Sequence, residues 1–148
     1  MRVSVIGGST VEERTARVAE RLGRELGRRG HDVVCGGLTG VMEAVARGVA
    51  ETEGRTIGIL PGTDPTAANR YVDVPIVTGL GNARNPLVVQ NGDAAIAVDG
   101  RYGTLSEIAH ALDIGRPVAG LDTHHVPGVE AVGSPAAAVD YVERETSL

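Results

Sequence analysis

The stretch Asp99-Gly100-Arg101-Tyr102-Gly103-Thr104-Leu105-Ser106-Glu107 gathers, within nine positions, residue types that hold anions and handle developing charge. It follows the apolar run Ala94-Ala95-Ile96-Ala97-Val98 and opens a helix expected to end near Gly115, so it reads as strand, glycine turn, helix. Gly100 and Gly103 let the backbone turn tightly and approach a ligand, while the first turn of the next helix offers unpaired N–H groups and a positive dipole end. The chemistry implied is phosphate binding at the Gly103-Thr104 helix start, with Thr104 donating its hydroxyl and Arg101 adding a cation at the turn. Thr104 and Glu107 also have the spacing of a capping box, in which the two side chains close the helix start on itself. Spacing leaves both roles for Glu107 open.

Two further glycine turns follow two further apolar runs. Gly7, Gly8 and Ser9 come after Val3-Ser4-Val5-Ile6, and Gly36-Gly37-Leu38-Thr39-Gly40 comes after Asp32-Val33-Val34-Cys35. In a parallel sheet all three turns emerge on one edge and converge on one ligand, so Gly7, Gly8, Ser9, Gly36, Gly37 and Gly40 are expected to line the remaining crevice. The pattern is not the dinucleotide fingerprint, because Gly-x-Gly-x-x-Gly is absent after the first strand. Arg84, planar and permanently charged, could clamp a phosphate bidentately or orient a carboxylate; a surface ion pair at a helix start is the other reading. His110, three residues after Glu107, could pair with it or simply pack. His124-His125 lacks a nearby third ligand, and no metal and no cofactor are expected.

The turn resembles the glycine-Thr-Glu signature of the Lonely Guy family of nucleoside 5'-monophosphate phosphoribohydrolases. It resembles still more their short Rossmann-like relatives, among them molybdenum-cofactor carriers. Gly79-Leu80-Gly81-Asn82-Ala83-Arg84-Asn85 puts Arg84 where the family has its active-site Arg, and Glu107 stands where it has its catalytic Glu. Val5-Ile6-Gly7-Gly8-Ser9 and Cys35-Gly36-Gly37-Leu38-Thr39-Gly40-Val41-Met42-Glu43-Ala44 are similar to its two earlier glycine loops, so the similarity runs from the first strand to about Val118.

What the resemblance implies is hydrolysis of a nucleoside 5'-monophosphate to free base and ribose 5-phosphate by a homodimer or higher homo-oligomer, with Arg84 and Glu107 as the catalytic pair. The alternative it implies is a non-catalytic carrier of a phosphorylated ligand such as molybdenum cofactor. N-glycosidic cleavage passes through an oxocarbenium-like transition state, which a carboxylate beside the ribose stabilises, and Glu107 is the candidate. Asp99 stands where the family has Pro, Arg101 where it has a second Gly, Ser106 where it has a first Glu, and Asn85 where it has Lys. Binding survives these departures better than catalysis.

Composition narrows the partners. A chain of 148 residues suits one domain, residues 1–148, large enough for a real core. With 2% aromatic residues and neither Phe nor Trp, that core must be Val, Ile, Leu and Ala. The net charge is -5 and every basic residue is Arg, so a lysine Schiff base is excluded. The acidic balance and the lack of an aromatic stacking platform disfavour nucleic acid as principal partner and leave a small phosphorylated ligand. Cys35 is alone, which excludes an internal disulfide. No apolar run reaches membrane-spanning length and no signal-peptide pattern precedes the first strand, so a cytoplasmic location without membrane contact is expected.

Strand and helix patterns alternate throughout. A helix with Ser9 or Thr10 as cap and Val11, Val18, Leu22 and Leu26 as apolar stripe should run to Arg29, and Val41, Val45 and Val49 mark a second. Pro75 demotes the strand at 72–77 to an edge or irregular one. A third helix is expected from Asn82, with Pro86 in its first turn. Strands at 56–60, 118–121 and 129–132, and a last helix entered by Ser134-Pro135, complete an α/β, doubly wound, Rossmann-like parallel sheet with helices on both faces. Ligand binding then belongs at the carboxyl ends of the strands.

Overall fold

The computed structural model describes residues 1–147. Seven strands form one parallel sheet: β1 (Arg2–Gly7), β2 (Asp32–Cys35), β3 (Thr56–Leu60), β4 (Val74–Val77), β5 (Ala94–Val98), β6 (Val118–Leu121) and β7 (Val129–Ala131). The helices are α1 (Glu13–Arg28), α2 (Val41–Ala50), α3 (Asn85–Gln90), α4 (Tyr102–Asp113) and α5 (Pro135–Thr146). The strand order is β4-β3-β2-β1-β5-β6-β7, which is the doubly wound α/β arrangement expected from the sequence. From β1 the chain winds outward to β4, then crosses back to β5 and winds outward to β7. The reversal between β1 and β5 leaves a crevice at their carboxyl ends, where Gly7 lies in register with Val98.

Buried strands in a parallel sheet must be apolar on both faces, and these divide their side chains by alternation. Val3, Val5, Ile96 and Val98 pack under α1, α2 and α5, whereas Ile6, Ala95 and Ala97 face α3 and α4. Ser4 is the polar exception on the second face, and its Oγ donates to Val88 O at 2.6 Å. Pro75 sits in β4, paired to β3 alone with Val74, Ile76 and Val77 exposed, as the missing proline N–H requires. No helix among the described residues is long and apolar enough to cross a membrane.

The start of α1 departs from expectation. It begins at Glu13 with Glu12 at the cap position and no side-chain cap bond, so neither Ser9 nor Thr10 caps it. Those residues stay with the β1 turn, where Ser9 O accepts from Thr39 Oγ1 at 2.9 Å and Gly8 O from Val41 N–H at 2.9 Å. Tying the first two glycine turns together took precedence over the cap.

Helices α1 and α2 cross almost backbone to backbone. A Cβ on Gly23 would lie 2.0 Å from Val45 O, and one on Gly48 would lie 2.0 Å from Glu20 O. In an open helix Gly→Ala would stabilise by about 1 kcal/mol; at this crossing Gly48→Ala is expected to destabilise by about 1–3 kcal/mol because the helices must separate. A fall in the urea midpoint at constant m-value would show this, and a rise would mean that the helices slide apart at no cost.

Candidate functional site

A cavity of about 660 Å³ opens at the switch between β1 and β5. The turn after β1 contributes Gly7, Gly8 and Ser9, and the turn after β2 contributes Gly36. Arg84 and Asn85 enter from the start of α3, and Asp99, Gly100, Arg101, Gly103, Thr104 and Glu107 close the remaining side. Residues separated by a hundred positions meet here because three parallel strands deliver their turns to one edge.

Gly7 is required by contact: a Cβ there would stand 2.4 Å from Val98 O, across the β1–β5 seam. Gly37 and Gly40 do not line the cavity and instead hold its wall. Gly40 has φ +68 and a Cβ on it would lie 2.3 Å from Gly8 O, while a Cβ on Gly37 would lie 2.6 Å from Leu60 Cδ2. Both glycines therefore set the path of the turn behind the ligand space.

The capping-box reading of Thr104 and Glu107 is corrected by where α4 starts. Its N-cap is Arg101, with no side-chain cap bond, and the first helical bond runs from Leu105 N–H to Arg101 O at 3.0 Å. Thr104 is thus the third residue of α4 rather than its cap, buried against the Gly100 turn so closely that a Cβ on Gly100 would meet its Oγ1 at 2.2 Å. The N–H groups of Tyr102, Gly103 and Thr104 precede the helical ladder, and no side chain closes over them. Glu107 lies one turn further along and faces the cavity.

Arg84 is not a surface residue. It ends a 3-10 turn (Gly81–Arg84) just before α3, which starts at Asn85 rather than at Asn82. Its side chain is buried, with Nε donating to Ile59 O at 2.8 Å, Nη2 to Gly36 O at 3.4 Å and Nη1 to Asn85 Oδ1. A Cβ on Gly36 would come within 2.8 Å of Arg84 Nη2, so this glycine admits the guanidinium. Burial lowers the basicity of Arg84, and the Glu107 carboxylate counters part of that shift. Burial likewise pushes the Glu107 carboxyl up to about 7, with the Arg84 charge pulling the other way. The two charges act on each other without direct ion-pair contact, desolvation raising Glu107 and the Arg84 charge opposing it.

His110 pairs instead with α3, its Nε2 lying 3.1 Å from Gln90 Nε2. The Cys35 thiol is buried and pushed up to about 11 by desolvation, which makes it inert packing. His124 and His125 line a separate cavity of about 620 Å³ beside β6 and β7, and no cluster of three potential metal ligands occurs among the described residues. Sequence reasoning missed Asn82 and Asn85 as lining residues, and treated Asp99 only as a departure from a family pattern. Asn85 was not legible, since only the fold buries Arg84 and sets its guanidinium on the Asn85 amide oxygen.

Known proteins place this geometry. The chain is 42% identical over 142 residues to an uncharacterized protein of Archaeoglobus fulgidus, covering 95% of this chain and 93% of that one. The solved molybdenum cofactor binding protein of the phototrophic bacterium Rippkaea orientalis superposes with a TM-score of 0.91 at 32% identity, covering 97% of this chain and 96% of that one. A relative in Oryza sativa subsp. japonica, named "Probable cytokinin riboside 5'-monophosphate phosphoribohydrolase", is 33% identical over 116 residues; these span 75% of this chain but only 51% of the relative. The chain matches the SLOG cluster4 family over residues 1–147, and it belongs to that family.

Proposed function

We propose that the crevice binds a nucleoside 5'-monophosphate and hydrolyses its N-glycosidic bond to give free base and ribose 5-phosphate. The observation that carries this reading is Glu107, a carboxyl free of helix capping, held to about 7 by burial, and facing the same cavity as the uncapped start of α4. The phosphate lies on the N–H groups of Tyr102, Gly103 and Thr104, where the helix dipole favours negative charge. The ribose then sits within reach of Glu107. As the C1'–N bond breaks, its electrons leave with the base, and the ionised Glu107 stabilises the positive charge that develops on the sugar. Water adds to C1' and gives up a proton; the base gains one. Arg84, anchored to backbone carbonyls, is a positioning charge that keeps Glu107 from staying fully protonated.

Two findings support a second reading, a carrier without turnover: the end-to-end likeness to a molybdenum cofactor binding protein, and Asp99, Arg101, Ser106 and Asn85 at positions that depart from the hydrolase pattern. The test is incubation with AMP, CMP, GMP and UMP, read as release of ribose 5-phosphate. Release from any of them supports the hydrolase. With no release, the carrier reading stands if phosphorylated ligands still raise Tm. Saturation at 100 times Kd is expected to add about 2.7 kcal/mol of stability. If millimolar nucleotides and ribose 5-phosphate all leave Tm unchanged, the phosphate assignment at the α4 start is wrong.

A further inference from the structure

We propose that Asp99 is a specificity-determining residue of the crevice, its carboxylate accepting hydrogen bonds from the vicinal hydroxyls of a ribose whose 5'-phosphate lies at the start of α4. This rests on the nucleoside 5'-monophosphate reading above. Asp99 and Asp122 are the non-glycine residues with positive φ among those described, Asp99 at 54°. A β-carbon in that region costs up to roughly 1–2 kcal/mol, less for Asp than for bulkier residues, and apart from Asp122 the other left-handed positions among the described residues are glycines. Glycine at 99 would remove the strain.

The conformation persists because its surroundings over-determine it. Asp99 N–H donates to Leu121 O at 3.1 Å, and Thr123 Oγ1 donates to Asp99 O at 2.7 Å. Two residues on, His124 Nε2 donates to Arg101 O at 2.8 Å. The loop after β6 thus grips two carbonyls of the turn from behind. The carboxylate itself takes part in no hydrogen bond or ion pair among the described residues, and it faces the cavity opposite Gly8, where a Cβ would stand 3.6 Å from its Oδ2. An ionised carboxylate only accepts hydrogen bonds and repels phosphate, so what it meets must donate. The residue immediately precedes the phosphate turn, and the sugar is the part of a nucleotide joined directly to phosphate. Two adjacent hydroxyls match the two oxygens of one carboxylate.

The test is calorimetric titration in the Glu107→Gln background, which spares the ligand, with AMP, 2',3'-dideoxy-AMP and IMP as probes. With Asp99 present, AMP should bind about 10- to 100-fold more tightly than the dideoxy analogue, the scale of hydrogen bonds to a charged group. Asp99→Gly, which relieves strain and should fold at least as well, should abolish that preference while retaining binding of both. Thr123→Val should weaken the preference without touching the ligand, and Thr123→Ser should restore it, which a merely structural hydroxyl would not explain. If Asp99→Gly keeps the preference for AMP over the dideoxy analogue, or instead changes discrimination between AMP and IMP, the Asp99 assignment is overturned while the nucleotide reading stands. If neither AMP nor any of CMP, GMP and UMP binds even with Asp99 present, both fall together.

Discussion

Replacing Glu107 by Gln is expected to lower the rate of base release about 10²–10³-fold while leaving nucleotide affinity within a few-fold, the loss typical of removing one electrostatic stabiliser of a transition state. The amide keeps the shape of the side chain and removes only the charge. Because the free carboxyl is pushed up to about 7, kcat/KM of the wild type should rise with pH through that region as Glu107 ionises. Stability should move the other way. A carboxyl whose folded value lies above its unfolded one favours the folded state while protonated. That contribution is complete below the ordinary value of 4.5 and is lost as pH rises through about 7. Its full size is on the order of 3 kcal/mol. The Gln variant should therefore lose this pH dependence and be more stable than wild type at pH 8. Rates equal to wild type would remove Glu107 from the chemistry, and an unchanged pH–stability curve would show that its environment is wetter than the structure indicates.

Replacing Arg84 by Met should be the most damaging single change to the site scaffold. It removes the donors to Ile59 O and Gly36 O and the partner of Asn85 Oδ1, and it withdraws the charge that offsets the desolvation of Glu107. Stranded buried acceptors and an uncompensated carboxylate together are expected to cost about 3–5 kcal/mol. The midpoint of the Glu107 pH profile should also move above that of the wild type, because the Arg84 charge is what lowers it. Arg84→Lys separates the two effects. A Lys ammonium retains the charge but cannot span three acceptors set around a planar fork, so most of the stability loss should remain while the pH midpoint returns towards the wild-type value. A stable Arg84→Met variant with an unshifted profile would contradict both roles.

The alternation of apolar runs with glycine punctuation, read residue by residue, determined the α/β class, the order of elements, the edge position of Pro75 and the attachment of three glycine turns to strand ends. These are legible because strand burial, helix periodicity and proline geometry are local. The status of Glu107 was not. Whether it capped its helix or faced a ligand space depended on where α4 begins, and that point is set by Thr104 packing on Gly100 and by the loop after β6 gripping the turn through Asp99 O and Arg101 O. Arg84 likewise became a buried anchor only because β3 and the β2 turn bring carbonyls 25 and 48 residues away to its guanidinium. Gly37 and Gly40 read the same as Gly36 in the chain, yet they differ in the fold because the path of the turn, not its composition, decides which glycine faces the ligand space. Desolvation, burial and the choice between two partners of one side chain are sums over neighbours distant in sequence, so the tertiary structure alone decided them.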